Sequence, residues 1–158
     1  MRIAFYTLGC KVNQYETQLL KEHFKELSYE ECSPREKADV YIVNSCTVTS
    51  HSNKKARQFI HKIKRDNPDS IVALIGCFPQ VFTEEAEEIE KADIICGTKN
   101  KNQVSDLIEE FIKNRKRIVN VEPHQKGETF EKQKTSSHED KTRAFLKIED
   151  GCERFCSY

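Results

Sequence analysis

Apolar residues recur along this chain in two rhythms, and the rhythm changes several times. Residues 2–7 form a short apolar and aromatic run that fits a buried strand, and from Val12 onward Tyr15, Leu19, Leu20, Phe24 and Leu27 fall at the spacing of one helical face. A segment at 29–32 precedes the turn formers Ser33 and Pro34, and residues 40–43 are β-branched and aromatic, as suits a central strand. Ala56, Phe59, Ile60 and Ile63 mark the inner face of a helix of about four turns, closed by Asn67 and Pro68. Residues 71–75 are the most apolar strand. Thr83 is placed to cap an acidic helix running to about Lys91, and residues 93–96 give another short strand. Asn100 with Gln103 has the form of a capping box for a last helix carrying Val104, Leu107, Ile108, Phe111 and Ile112, and residues 118–121 follow as an edge strand.

Strands that alternate with helices need crossover connections, so the fold class is α/β: a mostly parallel sheet with helices on both faces, spanning residues 1–121. After it, Lys, Glu, Gln, Ser and Thr dominate, and residues 122–142 read as a polar linker that buries too little surface to order itself. Residues 144–148 read as a strand again, so 143–158 predicts the start of a second domain that is cut off at Tyr158.

The 158 residues carry 26 Lys and Arg against 26 Asp and Glu, so any contact with nucleic acid must come from a local patch. Lys54, Lys55, Arg57, Lys62, Lys64 and Arg65 form such a patch, although a solvated helix face balanced by the acidic residues at 84–90 is the simpler reading. The longest apolar run, residues 71–78, is far shorter than the roughly 20 residues of a membrane helix, and no export signal opens the chain. The expectation is a cytoplasmic protein that does not span a membrane. The five glycines are too scattered to make a G-x-G or phosphate-cradling loop, which excludes Rossmann and P-loop nucleotide binding.

Seven cysteines, an odd number, in a chain read as cytoplasmic point away from disulfides and toward metal or redox chemistry. Cys10, Cys46 and Cys77 each lie beyond the carboxyl end of a predicted strand, the rim where open α/β sheets bind ligands, so three distant thiols can converge there. Glycines before Cys10 and Cys77 leave room for a bulky cluster, and nearby helix N-termini favour thiolate, the form that binds iron. Simple packing at a strand end explains any one of the three equally well. Cys96 also follows a strand, so spacing alone does not choose the trio, whereas Cys32 on a short polar strand reads as a packing or surface thiol. The histidines at 23, 51, 61, 124 and 138 show no mutual ligand spacing, and His51, five residues after Cys46, is a weak zinc signal. Cys152 and Cys156 are the first two cysteines of a C-x3-C-x2-C loop, in which three thiolates bind three irons of a [4Fe–4S] cluster and leave the fourth to S-adenosylmethionine.

The segments Thr7-Leu-Gly-Cys10-Lys-Val-Asn13-Gln-Tyr-Glu16-Thr, Val43-Asn-Ser-Cys46-Thr-Val, Ile75-Gly-Cys77 and Leu146-Lys-Ile-Glu-Asp-Gly-Cys152-x3-Cys156 resemble, in order, the radical S-adenosylmethionine methylthiotransferases. The resemblance covers the whole chain. Its Gly-Cys-Lys-Val-Asn wording is similar to the branch acting on tRNA threonylcarbamoyladenosine, with the isopentenyladenosine tRNA and ribosomal-protein branches as alternatives. The resemblance implies that Cys10, Cys46 and Cys77 hold an auxiliary [4Fe–4S] cluster tied to the inserted sulfur. It implies that Cys152 and Cys156, with a third ligand beyond the chain end, hold the cluster that cleaves S-adenosylmethionine, and it leaves Cys32 and Cys96 outside both sets. The implied reaction installs a methylthio group at carbon 2 of the adenine, with the tRNA anticodon loop as partner; other catalytic residues are unassigned. Such proteins continue into a partial barrel and an RNA-binding module, so residues 1–158 alone are expected to be inactive. A small non-catalytic iron–sulfur or zinc module is the rival reading, and a plain α/β interaction domain with scattered thiols is a third.

Overall fold

The computed structural model describes residues 1–47, 50–99 and 101–124, leaving aside the side chains of Ser50, His51 and Asn102. Cys152, Cys156, His138 and the predicted strand at 144–148 lie outside the described residues, as does most of the predicted linker. In chain order the elements are β1 (Arg2–Thr7), α1 (Lys11–Glu26), β2 (Glu30–Cys32), β3 (Val40–Ser45), α2 (Ser50–Asp66), β4 (Ile71–Gly76), α3 (Cys77–Val81), α4 (Thr83–Glu87), β5 (Ile94–Cys96), α5 (Val104–Asn114) and β6 (Ile118–Asn120). A 3-10 turn, Lys101–Gln103, leads into α5.

The strands form one six-stranded sheet in the order β2-β1-β3-β4-β5-β6, and every neighbouring pair is parallel. Both faces are therefore covered, and the central strands β3 and β4 are buried along their whole length. On one face Ile3, Phe5, Ile42, Ile75 and Ile94 pack under Leu20 and Phe24 of α1 and Leu107, Ile108 and Phe111 of α5. On the other, Tyr41, Val43, Leu74 and Ile95 meet Ala56, Ile60 and Ile63 of α2, with Phe78, Ala86 and Ile89 completing the layer. No helix among the described residues is long and apolar enough to cross a membrane.

Two predicted helix starts differ from the observed ones. Thr83 does not cap an acidic helix: it is the first residue of α4, and its hydroxyl donates to the Pro79 carbonyl at 2.9 Å. A separate short helix, α3, runs directly out of β4, with Pro79 in its first turn, where a missing N–H costs nothing. α4 stops at Glu87, well before Lys91, because the following turns must carry Ile89 and Ala92 down into the core. Gln103 occupies the N-cap of α5 without a side-chain cap, and its Oε1 accepts from Asn120 Nδ2 at 3.3 Å; its predicted capping partner, Asn100, lies outside the described residues.

Leu74 is fully buried at the centre of the sheet. Leu74→Ala is expected to lower the unfolding free energy by about 2–5 kcal/mol, while Val119→Ala on the exposed edge changes it by less than about 0.5 kcal/mol, as read by urea titration.

Candidate functional site

β1 sits between β2 and β3, so the chain leaves it toward both sides of the sheet. Such a reversal opens a crevice at the carboxyl ends of the strands, here between β1 and β3. The register defines its height. Thr7, Asn44, Ile75, Cys96 and Asn120 stand in one row across β1, β3, β4, β5 and β6. Cys46 and Cys77 each come two residues beyond this row and Cys10 three, so all three occupy the rim, with Cys10 and Cys46 flanking the crevice. Cys96 stays inside the row, and Cys32 pairs with Ala4, about 10 Å below it along the strands.

Two glycines let the cysteine loops close on one another. Gly9 has φ +109°, and a Cβ on it would lie 2.2 Å from Cys46 Cβ and 2.6 Å from Cys46 Sγ, so the Cys46 side chain lies directly on the residue before Cys10. Gly76, at φ +103° and ψ −155°, would push a Cβ to 2.4 Å from the Ser45 carbonyl oxygen and 2.5 Å from Asn44 Oδ1. Glycine alone fits both the dihedrals and the space.

Hydrogen bonds hold the same loops. Buried Asn13 donates through Nδ2 to the Leu8 carbonyl at 3.0 Å and the Ser45 carbonyl at 2.9 Å, while its Oδ1 accepts from Cys10 Sγ at 3.5 Å. Asn44 Nδ2 returns a bond to the Asn13 carbonyl at 3.0 Å and reaches Thr17 Oγ1 at 3.1 Å. Ser45 Oγ donates to the Ile75 carbonyl at 2.7 Å, linking the Cys46 and Cys77 strands. Asn44 Oδ1 is buried beside Gly76 and has no hydrogen-bond partner among the described residues.

Cys10 is exposed, Cys77 partly buried and Cys46 buried. Burial pushes the Cys77 thiol up, and the Lys101 ammonium works against that rise. Lys101 Nζ is paired with Glu16 Oε2, their side chains only 9% and 12% exposed. Cys96, fully buried among the residues facing α1 and α5, is pushed up to about 12, chiefly by burial, and its Sγ approaches the Gly97 carbonyl at 3.6 Å. Cys32 Sγ lies 3.5 Å from the Ile3 carbonyl. Among the described residues, no three Cys, His, Asp or Glu side chains form a ready metal cage.

Sequence reasoning missed the roles of Asn44 and Ser45, which it placed beyond a strand ending at residue 43 although they belong to β3, and of Lys101, whose partner is 85 residues away with no local signal. Asn13 and Glu16 stood in a recognisable motif, but nothing in the sequence said what they hold.

Residues 2–97 match the family described as Uncharacterized protein family UPF0004. The chain is 39% identical over 156 residues to the threonylcarbamoyladenosine tRNA methylthiotransferase MtaB of Bacillus subtilis, covering 99% of this chain and 35% of the relative. It is 36% identical to the MtaB of Aquifex aeolicus, over 100% of this chain and 38% of that protein. Against the tRNA-2-methylthio-N(6)-dimethylallyladenosine synthase of Buchnera aphidicola the identity is 31%, over 99% and 36%. The chain thus spans little more than a third of the length of these relatives. Among solved structures, the isolated REC domain of RcsB from Salmonella enterica serovar Typhimurium in the apo form aligns with a TM-score of 0.53 at 10% identity, covering 75% of this chain and 92% of that one. That likeness is one of fold.

Gly76→Ala is expected to cost at least about 1–3 kcal/mol in urea unfolding, since a methyl group there meets the Ser45 carbonyl in a strained backbone region. Lys101→Met leaves Glu16 buried without its cation and is expected to cost about 3–5 kcal/mol, whereas the Glu16→Leu/Lys101→Met double variant loses much less than the sum of the single changes; a double-mutant cycle measures the difference.

Proposed function

Because the chain belongs to the family UPF0004, and its relatives include tRNA methylthiotransferases, we propose that residues 1–121 are the sulfur-handling domain of such an enzyme, with Cys10, Cys46 and Cys77 holding an auxiliary [4Fe–4S] cluster. The observation that carries this reading is the contact of Cys46 with Gly9, next to Cys10, together with the packing of Gly76, next to Cys77, on Ser45. Three thiols on one rim, two of them flanking the switch-point crevice, are a soft donor set, and the space left by Gly9 and Gly76 is taken up by Cys46 and the end of β3, which draws the three loops together rather than making room for the cluster.

When bound, such a cluster supplies an iron that three protein thiolates leave open to the sulfur being transferred. The chain's own residues do the positioning. Asn13 fixes the Cys10 loop to the end of β3, Ser45 ties β3 to β4, and Lys101 sets a cation against Cys77. Cys152 and Cys156 would hold, with a further ligand, a second [4Fe–4S] cluster that binds S-adenosylmethionine; it would supply a radical able to take the hydrogen from carbon 2 of adenine, where the methylthio group replaces it. The polar 122–142 linker joins the two parts, and the reaction belongs to the whole protein rather than to residues 1–158 alone. The substrate assigned is threonylcarbamoyladenosine beside the tRNA anticodon, since relatives with that name reach 36–39% identity against 31% for a dimethylallyladenosine synthase. A tRNA substrate supports a cytoplasmic location.

The test is anaerobic reconstitution of the full chain carrying Cys152→Ala and Cys156→Ala, followed by iron and sulfide analysis. About four irons per chain are expected. Further substitution of Cys10, Cys46 or Cys77 by Ala is expected to abolish the visible absorbance, and Cys32→Ala or Cys96→Ala to preserve it. Folded, iron-free protein, or loss of the absorbance at Cys96→Ala, overturns the assignment.

A further inference from the structure

α2 starts just after the rim at the end of β3 and ends before β4, so it runs from the cysteine rim down the outside of the sheet. Its inner face is Ala56, Ile60 and Ile63. Its outer side, with Lys91, forms a groove of about 500 Å³ lined by Lys54, Arg57, His61, Lys62, Arg65 and Lys91, with Gln58 among them. No carboxylate and no aliphatic residue lines it, and its one ring is the imidazole of His61. We propose that this groove binds the phosphodiester backbone of RNA.

The α2 residues of the groove recur at helical spacing from 54 to 65, a stripe about 16 Å long, which matches an extended polyanion better than a single anion. Like charges one turn apart, such as Lys54 with Arg57 and Lys62 with Arg65, weaken the helix that carries them. The fold does not offset all of this. Arg57 is held by the Glu85 carbonyl at 2.8 Å and the Glu85 carboxylate at 3.6 Å, and Arg65 by Asp66 at 2.8 Å. Lys54, Lys62 and Lys91 form no salt bridge among the described residues, Lys62 feeling Asp66 only at longer range. Lys64, by contrast, turns away from the groove to pair with Asp93 at 2.6 Å, which shows how this helix treats a cation with a structural task. Arg57 also lies 5.6 Å from the Phe78 ring centre, next to Cys77, so the upper end of the groove adjoins the cysteine loops. An acidic peptide would want a pocket for a bulky side-chain anchor, whereas the apolar surface here is only the stems of Lys and Arg and the His61 ring. The choice of RNA as the polyanion rests on the tRNA reading given above.

The test is fluorescence anisotropy of the full chain with a fluorescein-labelled RNA hairpin over a range of KCl concentrations. The Lys54→Gln/Lys62→Gln/Lys91→Gln variant is expected to bind at least about tenfold more weakly at low salt, with the slope of log K against log salt shallower by about two. A control losing the same charge elsewhere, Lys37→Gln/Lys113→Gln/Lys116→Gln, is expected to keep the parent affinity and slope. Far-UV circular dichroism checks that both variants are folded; should the glutamine variant unfold, Lys54→Met/Lys62→Met replaces it with an expected slope change of between one and two. Parent-like binding by the groove variant, equal losses in groove and control variants, or competition by polyglutamate as strong as that of unlabelled hairpin each overturn the proposal. Iron content is read on the same proteins. A groove variant that keeps its iron while losing RNA supports the assignment, and parent protein that binds RNA through the groove yet takes up no iron removes the cluster reading alone.

Discussion

Parallel pairing in a single register is the constraint from which the rest of this molecule follows. β1, β3 and β4 run side by side in the same direction, so the residues that leave them are delivered to one edge at nearly one height. Cys10, Cys46 and Cys77 are separated by 36 and 31 residues of sequence, yet they share that edge because each follows the common row of Thr7, Asn44 and Ile75 by two or three positions. A slip of one residue in any of these ladders would turn a whole strand's apolar set to the wrong face, and the two buried layers resist it. The hydrophobic cores below the rim thus set the geometry above it.

Fine adjustment comes from polar groups that the cores do not supply. The amide of Asn13 reaches loops on two different strands, and Asn44 answers from the other side, so the crevice between β1 and β3 is stitched rather than merely packed. The two glycines act by what they omit. Around this framework the electrostatics are uneven: burial disfavours charge on Cys77 and Cys96, and the Glu16–Lys101 pair brings a cation to that same end of the sheet while cancelling much of its field at a distance.

The fold was largely legible because its signals are local. Alternating strand and helix periods from residue 2 to residue 121 named the class, and the strand bounds around Ile42 and Leu74 came from continuous apolar runs that a buried parallel strand requires. What local patterns could not give was competition between neighbours. Thr83 has the chemistry of a cap, but α3 arrived first and used its hydroxyl; Ile89 and Ala92 ended α4 because the core needed them more than the helix did. At the site, spacing pointed to strand-end cysteines but could not separate Cys96 from the others. The structure places Cys96 two positions too early, still inside the ladder and facing the core, a distinction that depends on register and so is invisible to a reading of one segment at a time. Lys101 and Glu16 were hidden for the same reason.

The strand order also bears on how the protein is made. After β2, each strand that leaves the ribosome pairs with the one previously laid down on that side: β3 on β1, β4 on β3, β5 on β4 and β6 on β5. Growth proceeds in one direction, and no gap has to be held open for a segment still to be synthesised. A nascent chain can therefore extend its sheet in step with translation, keeping each new edge exposed only until the next strand emerges.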